Sequence, residues 1–321
     1  ISPARSCNCR RLVGLEGEVR LPKETDMLVN LKEMLTDATR NRYGVGCINA
    51  PNTTYLRALI DAAEEVTIPL VIDHAEVHDP LIPLERIAPD LIGCARRAKV
   101  PVAVHVDHGE SMNFIMRGVN NGFTSVMYDC SKLTFEENVS RVKAFIEKVR
   151  PAGFSVEAEL GEMPTTLNDT HGGSSASAAY TDPDLAHEFV ERTGVDALAV
   201  TFGTSHGIYE KEPVLDFEHL KRLREATGET PLVMHGSSGV PLPDITKAVA
   251  GGISKVNYYS YLAVESSRFA GEVIEADRAE GRPTFYHELV EKVYVHTKAE
   301  AKKLYGAFLN GFEYRRARND E

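Results

Sequence analysis

The chain has 321 residues, 43% of them hydrophobic, and a formal charge of −11 at pH 7. That length and apolar content suffice for a substantial core; the negative charge argues against generic nucleic-acid binding, which needs a basic face, and no apolar run approaches the roughly 20 residues of a membrane span. Five cysteines (Cys7, Cys9, Cys47, Cys94 and Cys130) are few and odd in number, a usage that suits reduced thiols in the cytoplasm.

Residues 1–26 show no periodicity and read as a leader or tag-like segment outside the fold, and their Cys7-x-Cys9 pair has no second pair at metal-site spacing. Residues 27–321 read as a single domain. It opens with the helical pattern "MLVNLKEMLTDATRNR", and eight short β-branched runs follow: "GVGCINA" (44–50), "TIPLVID" (67–73), "VPVAVHVD" (100–107), "GFTSVMYD" (122–129), "GFSVEAEL" (153–160), "VDALAVTF" (195–202), "TPLVMH" (230–235) and "GGISKVNY" (251–258). Amphipathic stretches of helical length lie between them, among them "NTTYLRALIDAAEEV", "TFEENVSRVKAFIEKVR", "DPDLAHEFVERTG" and "DFEHLKRLREATG". Strands alternating with helices imply parallel strands joined by crossovers, and eight such units close into a TIM (β/α)8 barrel. An open doubly wound sheet is the structural rival, but "INAPNTT" after the first strand offers no G-x-G-x-x-G turn. The amphipathic tail that begins "RPTFYHELVEKV" is expected to pack on the barrel or on a subunit partner.

A barrel gathers the polar residues that end its strands on one rim. Here they are Asn49, Asp73 with His74, Asp107 with His108, Asp129, Glu157 and Glu159, His206 just past strand six, His235 and Asn257. His108, His206 and His235 are each followed by glycine, which lets backbone or ligand approach closely. A lone histidine at a strand end is ordinarily a hydrogen-bonded structural residue, but three on one rim, with a fourth position open, are the ligand set of a catalytic zinc. Asp107 would then be an acid held beside the ion. His187, His287 and His296 fall on helical patterns and read as structural.

From Met27 to about residue 275 the chain resembles the class II, zinc-dependent fructose-bisphosphate and tagatose-bisphosphate aldolases. The resemblance is carried, in order, by "LVNLKEMLTDATRNRYGVGCIN", "VPVAVHVDHG", "GFTSVMYDCSKLTFEENV", "FSVEAELGE", "ERTGVDALAVTFGTSHGIY", "LVMHGSSG" and "GGISKVN". It implies a homodimer or homotetramer and reversible retro-aldol cleavage of a ketose (bis)phosphate to dihydroxyacetone phosphate and an aldehyde. It also implies zinc on His108, His206 and His235, Asp107 as the proton-transfer acid, Asp129 and Glu159 at positions that can hold a second divalent ion, and Glu157 as a support behind the ligands. The substrate and its phosphate would lie against Asn49, Gly207, Gly236, Ser237, Ser238, Asn257 and Ser260, with a monovalent cation, Na+ or K+, alongside.

Three stretches depart from the family pattern. The family's loop glutamate falls at Leu167 within "EMPTTLNDTHGGSSASAAYTDP", with Glu162, Asp169 and His171 as candidate substitutes. Ala75 stands at the family's serine position in "VIDHAEVHDP", where Asp73, His74, Glu76 and His78 form either a solvated rim loop or a changed pocket, with a further metal or a general base among the options. "NYYS" replaces N-x-[DN]-T, so Tyr259 is placed to narrow or cap the phosphate site, and one, two or no phosphates remain open. Two other functions stay open beside the aldolase: a metal-dependent lyase or isomerase of non-phosphorylated sugars or sugar acids, and a metal-binding barrel without catalysis.

Overall fold

The computed structural model describes residues 27–161, 163 and 180–314. The leader segment with Cys7 and Cys9, and the positions Glu162, Leu167, Asp169 and His171, lie outside the described residues. Eight parallel strands close a barrel in sequence order: β1 (Val45–Asn49), β2 (Leu70–Ala75), β3 (Val102–Gly109), β4 (Ser125–Tyr128), β5 (Ser155–Glu159), β6 (Ala197–Ala199), β7 (Leu232–Met234) and β8 (Ile253–Asn257). This is the TIM barrel that the alternation predicts. Helix α1 (Leu31–Asn41) precedes β1, and α2 (Thr53–Val66), α3 (Leu84–Arg97), α4 (Met112–Asn120), α5 (Phe135–Val149), α6 (Pro183–Thr193), α7 (Phe217–Thr227) and α8 (Leu242–Ala250) form the crossovers. After β8 come α9 (Ser260–Ala279) and α10 (Tyr286–Leu309).

Several helices start where their sequences supply acceptors for unpaired N–H groups. Asn52 accepts from the Tyr55 N–H, Asp182 from those of Asp184 and Leu185, and Thr134 forms a reciprocal capping box with Glu137. α10 is the tail, and it packs on α2 and β1. Gly46 makes room for it: a Cβ there would come 2.9 Å from the Phe308 ring. None of the described helices is long and apolar enough to cross a membrane.

β6 and β7 are shorter than the apolar runs that predict them. Past Ala199 the chain stays buried, but the Thr201 N–H turns to the Thr181 hydroxyl at 2.8 Å instead of a neighbouring strand, so the ladder stops. That departure frees the segment that carries His206.

The barrel interior divides into two layers. At the end where strands begin, Ala103, Ala197, Ala199, Val71 and Val233 leave space that Leu31, Met34, Leu35 and Ala38 of α1 fill as a separate apolar cluster. Toward the ends of the strands the interior is polar: Asp73, His105, Asp107, Glu157, His235 and Lys255 are all buried. Buried charges at such density require pairing. The functional site lies at this end.

Candidate metal centre

β3 solves a geometric problem. Neighbouring residues of a regular strand face opposite sides, so Asp107 and His108 would not both reach the barrel axis. Val106 pairs with Val126 and Gly109 with Tyr128, three steps on β3 against two on β4, which is a β-bulge. His108 sits in the bulge with φ 42°, a left-handed conformation that a non-glycine residue adopts under constraint. The bulge re-aims its imidazole inward beside Asp107. Gly109 is required for packing here, because a Cβ would come 2.6 Å from Ile115 Cγ1 and 2.8 Å from the Met127 carbonyl.

Hydrogen bonds choose which nitrogen each imidazole presents. His108 Nδ1 donates to Asp129 Oδ2 at 3.0 Å and turns Nε2 toward the group; His235 Nε2 donates to Glu157 Oε1 at 2.9 Å and turns Nδ1 toward it. These two ring nitrogens lie 2.9 Å apart, within hydrogen-bonding distance. His206 joins them from the loop after β6, its ring centroid 4.8 Å from that of His108 and 5.8 Å from that of His235. That loop is pinned by Tyr209, whose hydroxyl accepts from the Ser205 N–H and donates to the Gly236 carbonyl, each at 2.7 Å. Glu159 completes the group: its Oε1 accepts from the Met163 N–H at 3.3 Å, while its buried Oε2 has no hydrogen-bond partner. One ligand atom from each of His108, Glu159, His206 and His235 lies within 4.8 Å of the others. Three imidazoles converging beside a buried carboxylate oxygen without a hydrogen-bond partner fit a divalent cation.

The titration pattern has the same cause. Burial opposes charge on His108, but Asp107, Asp129 and Glu159 overcome it and push the imidazole up to about 10. Burial, with Asp129 nearby, pushes Glu159 up to about 8. Asp107 stays ionised against its burial because His108, Lys255 and His235 surround it. Acids in excess around imidazoles hold protons in the place of a cation.

Two residues of this cluster escaped the sequence reading. His105 faces inward two positions before Asp107, with Nδ1 2.9 Å from Ser125 Oγ. Lys255 lies fully buried, its Nζ within 3.0 Å of Glu157 Oε1 and 2.9 Å of Asn257 Oδ1. The signal was present: a lysine inside the apolar run "GISKVN" is a residue type almost never buried without a partner. By holding Asn257 Oδ1, Lys255 turns the amide so that Nδ2 donates to Asp107 Oδ1 at 3.1 Å.

A cleft opens beside the imidazoles, lined by Asn49, Asp107, His108, His206, Gly207 and Gly236 together with Cys47, Ser238, Asn257, Tyr259 and Ser260. Gly236 has φ 62°, and a Cβ there would meet the Ser205 carbonyl at 2.5 Å. Ser237 is turned away, its hydroxyl donating to the Asn257 carbonyl, and Ser238 Oγ accepts from the Tyr259 N–H at 2.9 Å. The Tyr259 ring leans toward β1 and β2, edge-on to His78 with centroids 5.2 Å apart.

The charged stretch after β2 is resolved residue by residue. Asp73 points into the barrel, where Cys47 Sγ donates to Oδ2 at 3.2 Å. Glu76 accepts from the Glu110 and Ser111 N–H groups at 2.9 and 3.0 Å and from the Ser111 hydroxyl, so it ties this turn to the start of α4. Asp79 pairs with both terminal nitrogens of Arg117. His74 faces outward against Phe114, and burial lowers it to about 4. His78 reaches Asn49. Among the described residues, neither group of donors at metal-binding distance includes any of them. His187 and His296 hydrogen-bond within the helical layer, to the Ala226 carbonyl and to Glu265.

Residues 29–308 match the family described as fructose-bisphosphate aldolase class-II. The chain is 40% identical over 237 residues to the protein YdjI of Escherichia coli strain K12, covering 74% of this chain and 84% of that protein. It is 36% identical over 267 residues to a fructose-bisphosphate aldolase of Staphylococcus aureus strain Mu50, covering 81% and 90%. The crystal structure of the YdjI aldolase of E. coli K12 superposes with a TM-score of 0.77 at 34% identity, covering 89% of this chain and 100% of that one. The fructose-bisphosphate aldolase of Campylobacter jejuni, at 21% identity and a TM-score of 0.74 over 90% and 97% of the two chains, shares the fold.

Proposed function

This chain belongs to the class II fructose-bisphosphate aldolase family and is a metal-dependent carbon–carbon lyase; from that premise we propose that it uses zinc on His108, His206 and His235 to cleave a ketose phosphate into dihydroxyacetone phosphate and an aldehyde. The observation that carries the assignment is the meeting of three imidazoles and Glu159 within 4.8 Å, beside an ionised Asp107. A divalent ion held by His108, His206 and His235 would supply Lewis-acid stabilisation for the negative charge that carbon–carbon cleavage develops.

The chain's own groups do the rest. Asp107, kept anionic and oriented by the Asn257 amide, takes the proton from the hydroxyl on the aldehyde side of the scissile bond as that carbon becomes a carbonyl. The bonding pair passes to the dihydroxyacetone phosphate half, whose carbon then takes up one proton, matching the one Asp107 removed, so that the cleavage is balanced. Asp129 and Glu157 fix the tautomers of His108 and His235 and so supply the outer support that metal-bound imidazoles need. Gly207 and Gly236, both at positive φ, and Ser238 and Ser260 line the side of the cleft assigned to the phosphate. Ser237 acts there through the β8 backbone it holds. Asp129 and Glu159 are the candidate ligands of a second divalent ion, and Na+ or K+ is proposed beside the phosphate.

We also assign a homodimer or homotetramer, supported by exposed Val264, Phe285, Tyr286 and Val295 along α9 and α10, and a cytoplasmic location, supported by the free thiols Cys47, Cys94 and Cys130. A retro-aldol assay on a panel of ketose phosphates, coupled to detection of dihydroxyacetone phosphate and run with and without chelator, tests the function. Chelator-sensitive cleavage of a phosphorylated ketose is expected. Cleavage that survives chelation refutes the metal mechanism, cleavage of uncharged sugars alone refutes the substrate class, and stoichiometric zinc without turnover refutes catalysis.

A further inference from the structure

We propose that His78 is a positioning residue that locks the Asn49 side-chain amide with its NH2 toward the substrate cleft, and that the acidic stretch around it exists to hold this imidazole in place. The inference rests on the aldolase reading of the cleft. It begins with an atom whose role is fixed: the Ala75 backbone N–H can only donate, and it lies 3.2 Å from one terminal atom of the Asn49 side chain. That atom must be Oδ1, because an NH2 there would set donor against donor. His78 Nδ1 lies 3.0 Å from the same Oδ1, so Nδ1 carries the proton. With both bonds on Oδ1, Nδ2 faces the other way, toward Asp73 Oδ2 at 3.5 Å and the cleft that Asn49 lines. Without the imidazole, the Ala75 N–H at 3.2 Å would be the one bond on Oδ1 holding the amide against a flip that offers substrate an acceptor. The clamp makes Asn49 a donor only, suited to a hydroxyl, carbonyl or phosphate oxygen.

The surroundings fit a clamp. His78 ends a single 3-10 turn, Glu76–His78, too short to hold its own geometry. The turn is fastened at both ends: Glu76 takes three hydrogen bonds from Glu110 and Ser111, and Asp79 takes the Arg117 fork and the Leu84 N–H. The Tyr259 ring closes over the imidazole edge-on. His78 is buried and does not itself line the cleft, so it acts through Asn49 and not on substrate.

The test uses the zinc-loaded 321-residue chain and the variants His78→Phe, His78→Asn, Asn49→Ala and His78→Phe/Asn49→Ala. His78→Phe keeps a ring under Tyr259 and removes the donor; His78→Asn returns an N–H near the position of Nδ1. For dihydroxyacetone phosphate measured by calorimetry, His78→Phe should weaken binding roughly tenfold, with zinc content unchanged. His78→Asn should recover most of the loss, and the double variant should bind no worse than Asn49→Ala. Additive losses in the double variant, or no rescue by asparagine, overturn the clamp. A 1H–15N correlation spectrum of the imidazoles, assigned by difference with His78→Asn, gives a second readout that needs no substrate: Nδ1 of His78 should show the protonated, pyrrole-type shift, and a neutral Nε2–H tautomer overturns the proposal. If the wild-type protein binds no dihydroxyacetone phosphate, the aldolase reading fails and takes the substrate half of this assignment with it, while the spectrum still decides the hydrogen bond.

Discussion

Replacing Lys255 with methionine isolates the charge layer beneath the metal centre. The substitution keeps volume but removes a cation within 3.0 Å of both Glu157 oxygens and 2.9 Å from Asn257 Oδ1. Glu157 is fully buried, and although burial opposes its ionisation, Lys255 leads the groups that bring it down to about 2. Breaking a buried pair by removing one partner leaves the other charge uncompensated, which costs about 3–5 kcal/mol. For a chain of this size that lowers the melting temperature by roughly 4–8 °C. Glu157 can relieve the loss by taking a proton, but a neutral carboxyl holds the His235 N–H less firmly, so zinc affinity falls too. The Asn257 amide, freed on its Oδ1 side, also loosens its grip on Asp107. Melting followed by near-ultraviolet circular dichroism, with zinc counted on the same samples, reads both effects. The decisive control is Lys255→Met/Glu157→Gln, which removes both charges and should recover most of the stability. A single variant as stable as wild type, or a double variant less stable than the single one, refutes the argument.

Asp107→Asn should keep one zinc per chain and lower turnover by roughly 10²- to 10⁴-fold; near-wild-type cleavage in a zinc-loaded sample removes Asp107 from proton transfer. Gly109→Ala places a Cβ 2.6 Å from Ile115 Cγ1 and 2.8 Å from the Met127 carbonyl, so denaturant unfolding should show a loss of about 1–3 kcal/mol from overpacking, with weaker zinc binding because the bulge that aims His108 must shift. Zinc affinity should rise with pH: His108 holds its proton to about 10 and Glu159, beside it, to about 8, and a zinc ion on the His108 imidazole displaces the first and favours loss of the second. Calorimetry at pH 7 in buffers of different ionisation enthalpy should therefore find roughly one to two protons released per zinc, and a flat or falling affinity between pH 6 and 8 contradicts the assignment.

The barrel was legible because parallel strands buried on both faces read as apolar runs, and the eight runs map onto the eight strands. Strand ends were legible for the same reason: His108, His235 and Asn257 stand where apolar patterning stops. What local sequence did not carry was direction. Alternation alone sends Asp107 and His108 to opposite faces, and only the pairing of Gly109 with Tyr128 on the next strand reveals the bulge that brings them together. The acids after β2 were ambiguous because their partners are remote. Glu76 bonds Ser111, 35 positions on, and Asp79 bonds Arg117, 38 positions on; neither distance leaves a trace in local composition. Lys255 was overlooked because a buried lysine is interpretable only once its partner Glu157, on the opposite side of the barrel, is known.

The buried charges around the centre share one chain of contacts. Asp107 and Glu157 are held ionised against their burial by Lys255 and the neighbouring imidazoles, whereas burial pushes Glu159 up to about 8. Lys255 holds both Glu157 and Asn257, and Asn257 in turn donates to Asp107, so the orientation of Asp107 rests on protein groups alone. The interior ion pair is better understood as the device that orients Asp107 than as a source of stability for the fold, since a buried pair contributes little to stability over an apolar replacement.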